Sequence, residues 1–112
     1  TTLTTLNLSL NKIGYKGARA LADALKGNNT LTALDLYGNG IGNEGARVLA
    51  DALKENNTIL TVLNLENNDI RVEGARALAD ALKGNNTLTA LDLYGNGIGN
   101  EGARVLADAL KE

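Results

Sequence analysis

Apolar residues recur along the chain in one fixed frame, Leu-x-x-Leu-x-Leu-x-x-Asn-x-Ile. It occurs four times, from Leu3 to Ile13, Leu31 to Ile41, Leu60 to Ile70 and Leu88 to Ile98. The frames start 28, 29 and 28 residues apart, and the extra residue is Ile59, between Thr58 and Leu60. A period of this length marks a solenoid stacked from one supersecondary unit. Within a frame, Leu34 and Leu36 alternate with Ala33 and Asp35, which predicts a short strand with one buried face. Behind each frame comes GARALADALK or GARVLADALK. There Ala46, Leu49, Ala50 and Leu53 fall at i, i+3, i+4 and i+7, one apolar stripe along a helix. Asn43 is expected to cap that helix and Glu44 to suit its positive first turn. Lys54 suits the last turn, and Asn56-Asn57-Thr58 is expected to end the helix. Arg47 and Asp51, spaced i, i+4 on the outer face, would form an exposed pair worth only a few tenths of a kcal/mol.

Strand, turn, helix and turn, four times over, predict an α/β solenoid bent into an arc. Parallel strands line its concave face and helices its convex face. The chain reads as a single domain, 1–112, with repeats 3–30, 31–59, 60–87 and 88–112. Ala24, Ala52, Ala81 and Ala109 leave no bulk between neighbouring helices, which should therefore pack closely. Asn11, Asn39, Asn68 and Asn96 all occupy one slot after the strand. A buried amide there can donate to and accept from the backbone of adjacent turns, forming a ladder. Solvated turn residues would not need to be the same residue in every repeat.

The string LTALDLYGNGIGNEGARVLADALKENNT resembles the ribonuclease-inhibitor class of leucine-rich repeats. It is also similar to repeats of nucleotide-binding innate immune receptors and of Ran GTPase-activating proteins. The alternation of 28- and 29-residue units resembles the paired repeats of ribonuclease inhibitor, and the resemblance covers the whole chain. It implies the horseshoe fold and says little about function, because such a scaffold hosts many partners. Two departures stand out. Ribonuclease inhibitors are rich in cysteine and this chain has none, and the usual end caps are expected to be missing.

A longer period lies over the first. Residues 17–55 and 74–112 are identical at all 39 positions. Drifting repeats keep a framework and vary the surface, whereas here Asp35 and Tyr37 are copied as Asp92 and Tyr94. The copying points to a designed or consensus-built tandem rather than a recent natural duplication.

Composition removes most chemistry. The chain has no Cys and no His, so disulfides, thiolate sites and the commonest general base are all absent. Phe, Trp, Met and Pro are missing as well, so the core must be built from Leu, Ile, Val and Ala. A net charge of −2 gives no support to a nucleic-acid or anionic-membrane partner. Apolar runs are too short to span a bilayer. No signal peptide is read in the chain, and the compartment is left open, cytoplasmic if it is expressed as it stands. Ser9 is the only serine and has no base to activate it.

One motif is tempting. Gly40-Ile41-Gly42-Asn43-Glu44-Gly45 is a literal GxGxxG between a strand and a helix, with Glu66 following at the spacing of a ribose-binding acid. The string recurs at Gly97 to Gly102. The repeat register argues against a dinucleotide site. Its first slot is Lys12 and Asp69 in the other repeats, and its second is Arg71 in the third. Only Gly17, Gly45, Gly74 and Gly102 are constant, as expected where a helix starts close to its neighbour. Asp35, Asn39 and Gly40 mimic the start of a calcium loop, but Tyr37 and Ala46 occupy ligand positions. No cofactor or metal is expected, and no enzymatic activity.

Two surfaces remain. The first is the concave face, where Asp35, Tyr37, Asn64, Glu66, Asp92 and Tyr94 project beside Thr5, Asn7, Ser9, Ala33, Val62 and Ala90. It is mildly acidic and carries Tyr, a favoured interface residue, which would suit a basic protein. The plainer account ranks first: these residues keep an exposed sheet soluble. The second surface is the pair of ends. Leu3, Leu6, Leu8, Leu21 and Leu25 face outward at one, and Leu91, Leu93, Leu106 and Leu110 at the other. Each is expected to expose several hundred Å² of apolar surface by rough estimate, in the range that marks an interaction site. A second copy could dock head-to-tail or across a two-fold axis, making the chain its own partner.

Overall fold

The Leu frames build the sheet and the Ala-Leu stripes build the layer behind it. The structure, a computed structural model, describes residues 1–55 and 58–112. Those residues form β1 (Thr5–Asn7), α1 (Gly14–Gly27), β2 (Ala33–Asp35), α2 (Gly42–Leu53), β3 (Val62–Asn64), α3 (Val72–Gly84), β4 (Ala90–Asp92) and α4 (Gly99–Ala109). The strands lie in chain order β1-β2-β3-β4, all parallel, with Leu6, Leu34, Leu63 and Leu91 in one row. Each helix packs on the next. Strands sit about 4.8 Å apart while packed helices need about 8–10 Å, so the stack must fan open on the helix side. The strand face is therefore concave.

The core runs between the two layers. Leu34, Leu36, Ile41, Leu49, Leu53, Leu60, Leu63, Leu65, Ile70 and Leu78 are fully buried, each contributing about 1.5–3 kcal/mol of apolar burial. Ala52, Ala81 and Ala109 are buried at the helix contacts, as their small size requires. Ala24 is exposed, because no helix lies on its far side.

Helix starts differ from expectation. Ile41, in the αR region, sits at the cap position of α2 with no side-chain cap, and Asn43 lies inside the first turn. Its carboxamide oxygen turns away from its own helix and accepts from Arg71 N and Gly74 N, at 2.9 and 2.8 Å. Asn43 thus caps α3 in the next repeat. Arg47 pairs with Glu44, one turn earlier, in place of the expected Asp51. Lys54 lies just beyond α2 and reaches Asp80 on α3 at 2.9 Å. Of the residues expected to end α2, Asn56 and Asn57 lie outside the described residues. Thr58 is buried and its hydroxyl donates to Ala52 O at 2.7 Å.

Between strand and helix the chain turns through the left-handed region. Gly38, Gly40 and Gly42 have φ of 65°, 60° and 67°. The first two slots are non-glycine in repeats one and three, where Leu10, Lys12, Asn67 and Asp69 hold φ of 54° to 59°. This accounts for two glycines of the GxGxxG string: they make a corner. The third, Gly45, lies against Ile41 and Ala18, where a Cβ would stand 2.6 Å from the isoleucine Cβ. The alternation has a packing consequence too. A Cβ on Gly38 would stand 2.6 Å from Leu10 Cδ2, one on Gly95 would meet the Asn67 side chain, and one on Gly97 would meet Arg71. Large side chains of the odd repeats lie over bare glycine in the even ones.

A left-handed conformation costs a non-glycine residue about 1–2 kcal/mol, against about 0.5–1 kcal/mol of extra chain entropy for glycine. We predict that Leu10→Gly raises stability by about 0.5–1 kcal/mol, whereas Gly40→Ala lowers it by about 0.5–1 kcal/mol. Urea denaturation midpoints that move in the same direction for both would contradict this account of the corner.

Candidate functional site

The asparagine slot is densely bonded. Asn39 Oδ1 accepts from the backbone amides of Asn11 and Ile13, at 2.9 and 3.2 Å. Its Nδ2 donates to Leu8 O, Leu36 O and Tyr37 O. Asn68 repeats the pattern toward Asn39 N, Ile41 N and Leu36 O. Asn96 does the same toward Asn68 N, Ile70 N and Leu65 O. Each carboxamide therefore joins its own turn to the turn before it, as the ladder expectation requires. Asn39, Asn68 and Asn96 are buried. Asn11 departs from the expectation and is exposed, because no turn precedes it; its Nδ2 still donates to Leu8 O and Ser9 O.

A second set of bonds goes beyond the sequence expectations. The hydroxyls of Thr32, Thr61 and Thr89 donate to the carbonyls of Thr4, Thr32 and Thr61, at 3.2, 3.1 and 3.1 Å. Asn28 and Asn85 accept from Leu31 N and Leu88 N in the loops before β2 and β4, and Asn85 Nδ2 also reaches back to Leu53 O. The sequence does carry a signal for them, since Thr4, Thr32, Thr61 and Thr89 hold one slot.

The concave face carries the residues expected there, in one register row: Asn7, Asp35, Asn64 and Asp92. Their first duty is local. Asp35 and Asp92 each accept the amide two residues on, from Tyr37 and Tyr94, at 3.0 Å. Asn7 and Asn64 do so for Ser9 and Glu66, at 2.9 Å. An acceptor that turns the chain suffices to explain this row. Tyr94 is 70% exposed, whereas Tyr37 and Glu66 are half-buried. Val62 is also exposed on this face.

At the ends, slots filled in the middle of the stack lie open. Leu53 is 1% exposed, while its counterpart Leu110 is 80% exposed and Leu3 is 46% exposed. Leu6, Leu8, Leu21, Leu91, Leu93 and Leu106 are half-buried, where their inner counterparts are fully buried. Leu25 departs from expectation: it is buried, although it lines the hollow at the first end. An apolar hollow of about 120 Å³ opens at the first end, lined by Leu3, Leu6 and Leu21. Another of about 300 Å³ opens at the other end, lined by Leu91, Leu93, Leu106 and Leu110.

The outer helix face carries ion pairs between neighbours, Lys54 with Asp80 and Arg76 with Glu101. The hydrogen bond and the charge of Lys54 hold the Asp80 carboxyl below its usual range, and the same contact raises the Lys54 ammonium. Among the described residues, no group of three His, Cys, Asp or Glu side chains is placed to hold a metal ion. No described helix is long and apolar enough to cross a membrane.

A family model for the leucine-rich repeat matches residues 1–22, 27–50, 56–79 and 84–107. The chain belongs to the leucine-rich repeat family. Its fold is similar to that of actin-binding site 2 of leiomodin-1, with a TM-score of 0.87 and 30% identity over 97% of this chain. The repeats span 64% of that structure, just under two thirds of its length. The C-terminal domain of tropomodulin from Caenorhabditis elegans is similar in fold alone, with a TM-score of 0.75 and 17% identity over 97% of this chain and 65% of that one. No curated protein sequence matches the chain.

Removing single bonds between these leucine-rich repeats should have graded effects. Asn39→Ala leaves buried amides and carbonyls of two turns unpaired, at about 1–3 kcal/mol for each group. It should cost more than Asn43→Ala, which removes one half-buried cap at about 1 kcal/mol; denaturant midpoints in the reverse order would contradict the ladder. For the ion pair, NMR titration should find Asp80 protonating below the ordinary carboxylate value. The stability it contributes is present above that ordinary value and fades as pH falls through the lowered one. Lys54→Met should return Asp80 toward normal, and an unmoved titration would break the assignment.

Proposed function

We propose that the chain is a non-catalytic protein-interaction scaffold whose working surfaces are its two open ends, through which copies associate with one another. The observation that carries this is the pair of apolar hollows on the first and fourth repeats, built from the Leu slots that inner repeats use to bind their neighbours. Exposed Leu110 and Leu3 belong to those same slots. Patches of this kind mark association sites on soluble chains. The 39-residue identity between residues 17–55 and 74–112 further supports a built tandem, whose repeats were copied for stacking. Light scattering across a wide concentration range should return a mass that climbs above 11.7 kDa. A constant mass at that value would end the proposal.

The concave face supports a second use, docking of a basic protein. Its specific support is Tyr94, exposed two residues after Asp92, with Val62 exposed at the other end of the strand row. The similar leiomodin structure is an actin-binding site, which favours a protein partner over a small ligand. Titration with a basic protein should change Tyr fluorescence if this face is used, and Tyr94→Ala should abolish the change.

A further inference from the structure

We infer that Asn39-Gly40 is a modification site held shut by the fold. The Asn39 carboxamide closes onto the Gly40 amide, losing ammonia, only when the turn opens, and the product can no longer serve as a rung of the ladder.

Asparagine followed by glycine is the pair in which this chemistry runs fastest. The backbone nitrogen of the second residue attacks Cγ of the first, and a C–N bond forms. The carboxamide nitrogen leaves as ammonia, taking the proton that the attacking amide gives up, and a cyclic imide remains. Water then opens either C–N bond of the imide. One opening gives aspartate; the other carries the main chain through Cβ. A side chain on the second residue crowds the attack, and glycine has none. In the ladder slot the pair occurs as Asn39-Gly40 and Asn96-Gly97, whereas Lys12 and Asp69 follow Asn11 and Asn68. The same rung thus stands in fast and in slow sequence within one chain.

The fold restrains only one half of the pair. Among the described residues nothing accepts a hydrogen bond from the Gly40 N–H. The space beside Gly40 is open, with nothing within 4 Å of where a Cβ would stand. The nucleophile is unhindered, and the carboxamide is not free to meet it. Its Oδ1 accepts from Asn11 N and Ile13 N, and its Nδ2 donates to Leu8 O, Leu36 O and Tyr37 O, at 2.9 to 3.2 Å. Asn39 is 2% exposed. Swinging Cγ onto the Gly40 nitrogen breaks these bonds together and leaves buried amides and carbonyls unpaired. Reaction therefore passes through an opened turn.

The product cannot close again. Aspartate has no N–H to offer Leu8 O, Leu36 O and Tyr37 O, and it would set a buried carboxylate against them. The Cβ-linked form lengthens the main chain at a corner where Gly40 holds a φ of 60°. Opening alone is reversible; loss of ammonia makes it one-way.

The copy at Asn96-Gly97 lies in a tryptic peptide of the same sequence, 84–104 against 27–47. The test therefore uses Gly97→Asp, which gives the second peptide its own mass. The slot accepts aspartate, as Asp69 shows at a φ of 59°. In mildly alkaline buffer, with and without urea, peptide 27–47 is followed for the mass gained when NH2 becomes OH, and its fragments locate the change. An opened form populated at about 0.1–10% makes the reaction at Asn39 about tenfold to a thousandfold slower in buffer than in urea. In urea, Asn39 should react well ahead of Asn68. Equal rates with and without urea would show that the ladder does not hold the site shut. Equal rates at Asn39 and Asn68 in urea would remove the part given to glycine. Chains modified at Asn39 should lose helical circular-dichroism signal, or regain it with a lower urea midpoint, once urea is diluted out. An unchanged midpoint would overturn the one-way step. Adding Gly40→Asp should bring the chain through the same treatment with its signal intact, and an equal loss there would place the damage elsewhere and end the proposal.

Discussion

A carboxamide offers one oxygen and one NH2 group at fixed angles, and the stack depends on that geometry. Wherever the chain leaves a strand and turns toward its helix, amides and carbonyls point into the interior, where water cannot reach them. Asn39, Asn68 and Asn96 satisfy these groups on both sides of each junction at once. No other residue type could fill the slot without loss: Asp lacks the donors, and Gln is one methylene too long for a turn packed this tightly. Among the described residues no buried polar side-chain atom is left without a partner. The core Leu residues supply most of the favourable free energy, but they are indifferent to register. The amide ladder decides which turn sits against which.

Stability in such a stack is a sum over neighbouring repeats. The inner junctions hold their Leu and Ile side chains fully buried. The outermost repeats have one neighbour each, and so fewer buried contacts and fewer bonds across repeats. Local opening should therefore begin at the ends and progress inward.

The architecture is legible because the repeat prints it four times. Strand, helix and ladder positions can be compared from one repeat to the next, and a coincidence in one does not survive in the others. That comparison disposes of the GxGxxG string, whose glycines turn a corner and admit a helix. Features that act between repeats are harder to see. Asn43 looks like the cap of its own helix and in fact caps the next, a relation that spacing within one repeat does not reveal. Arg47 has two acids within reach, and spacing alone does not choose between Glu44 and Asp51. The Asp and Asn row on the concave face reads as a charged surface, yet each side chain first holds the backbone of its own turn. The family assignment rests on repeated framework residues, whereas a partner would be chosen by side chains that the framework leaves free.

The seating of large side chains over bare glycine makes the order of the repeats matter to the stack. Leu10 needs Gly38 beneath it, and Asn67 needs Gly95. Remove the second repeat alone, and Leu10 would come to rest on Asn67, where the space for its side chain is gone. Remove the second and third together, and Leu10 meets Gly95, an acceptable neighbour of the same kind. Remove the third alone, and Gly38 comes before Gly95 with nothing to seat, so that order is tolerated as well. Which repeat may follow which is thus written in the bulk of one residue and the bareness of the next.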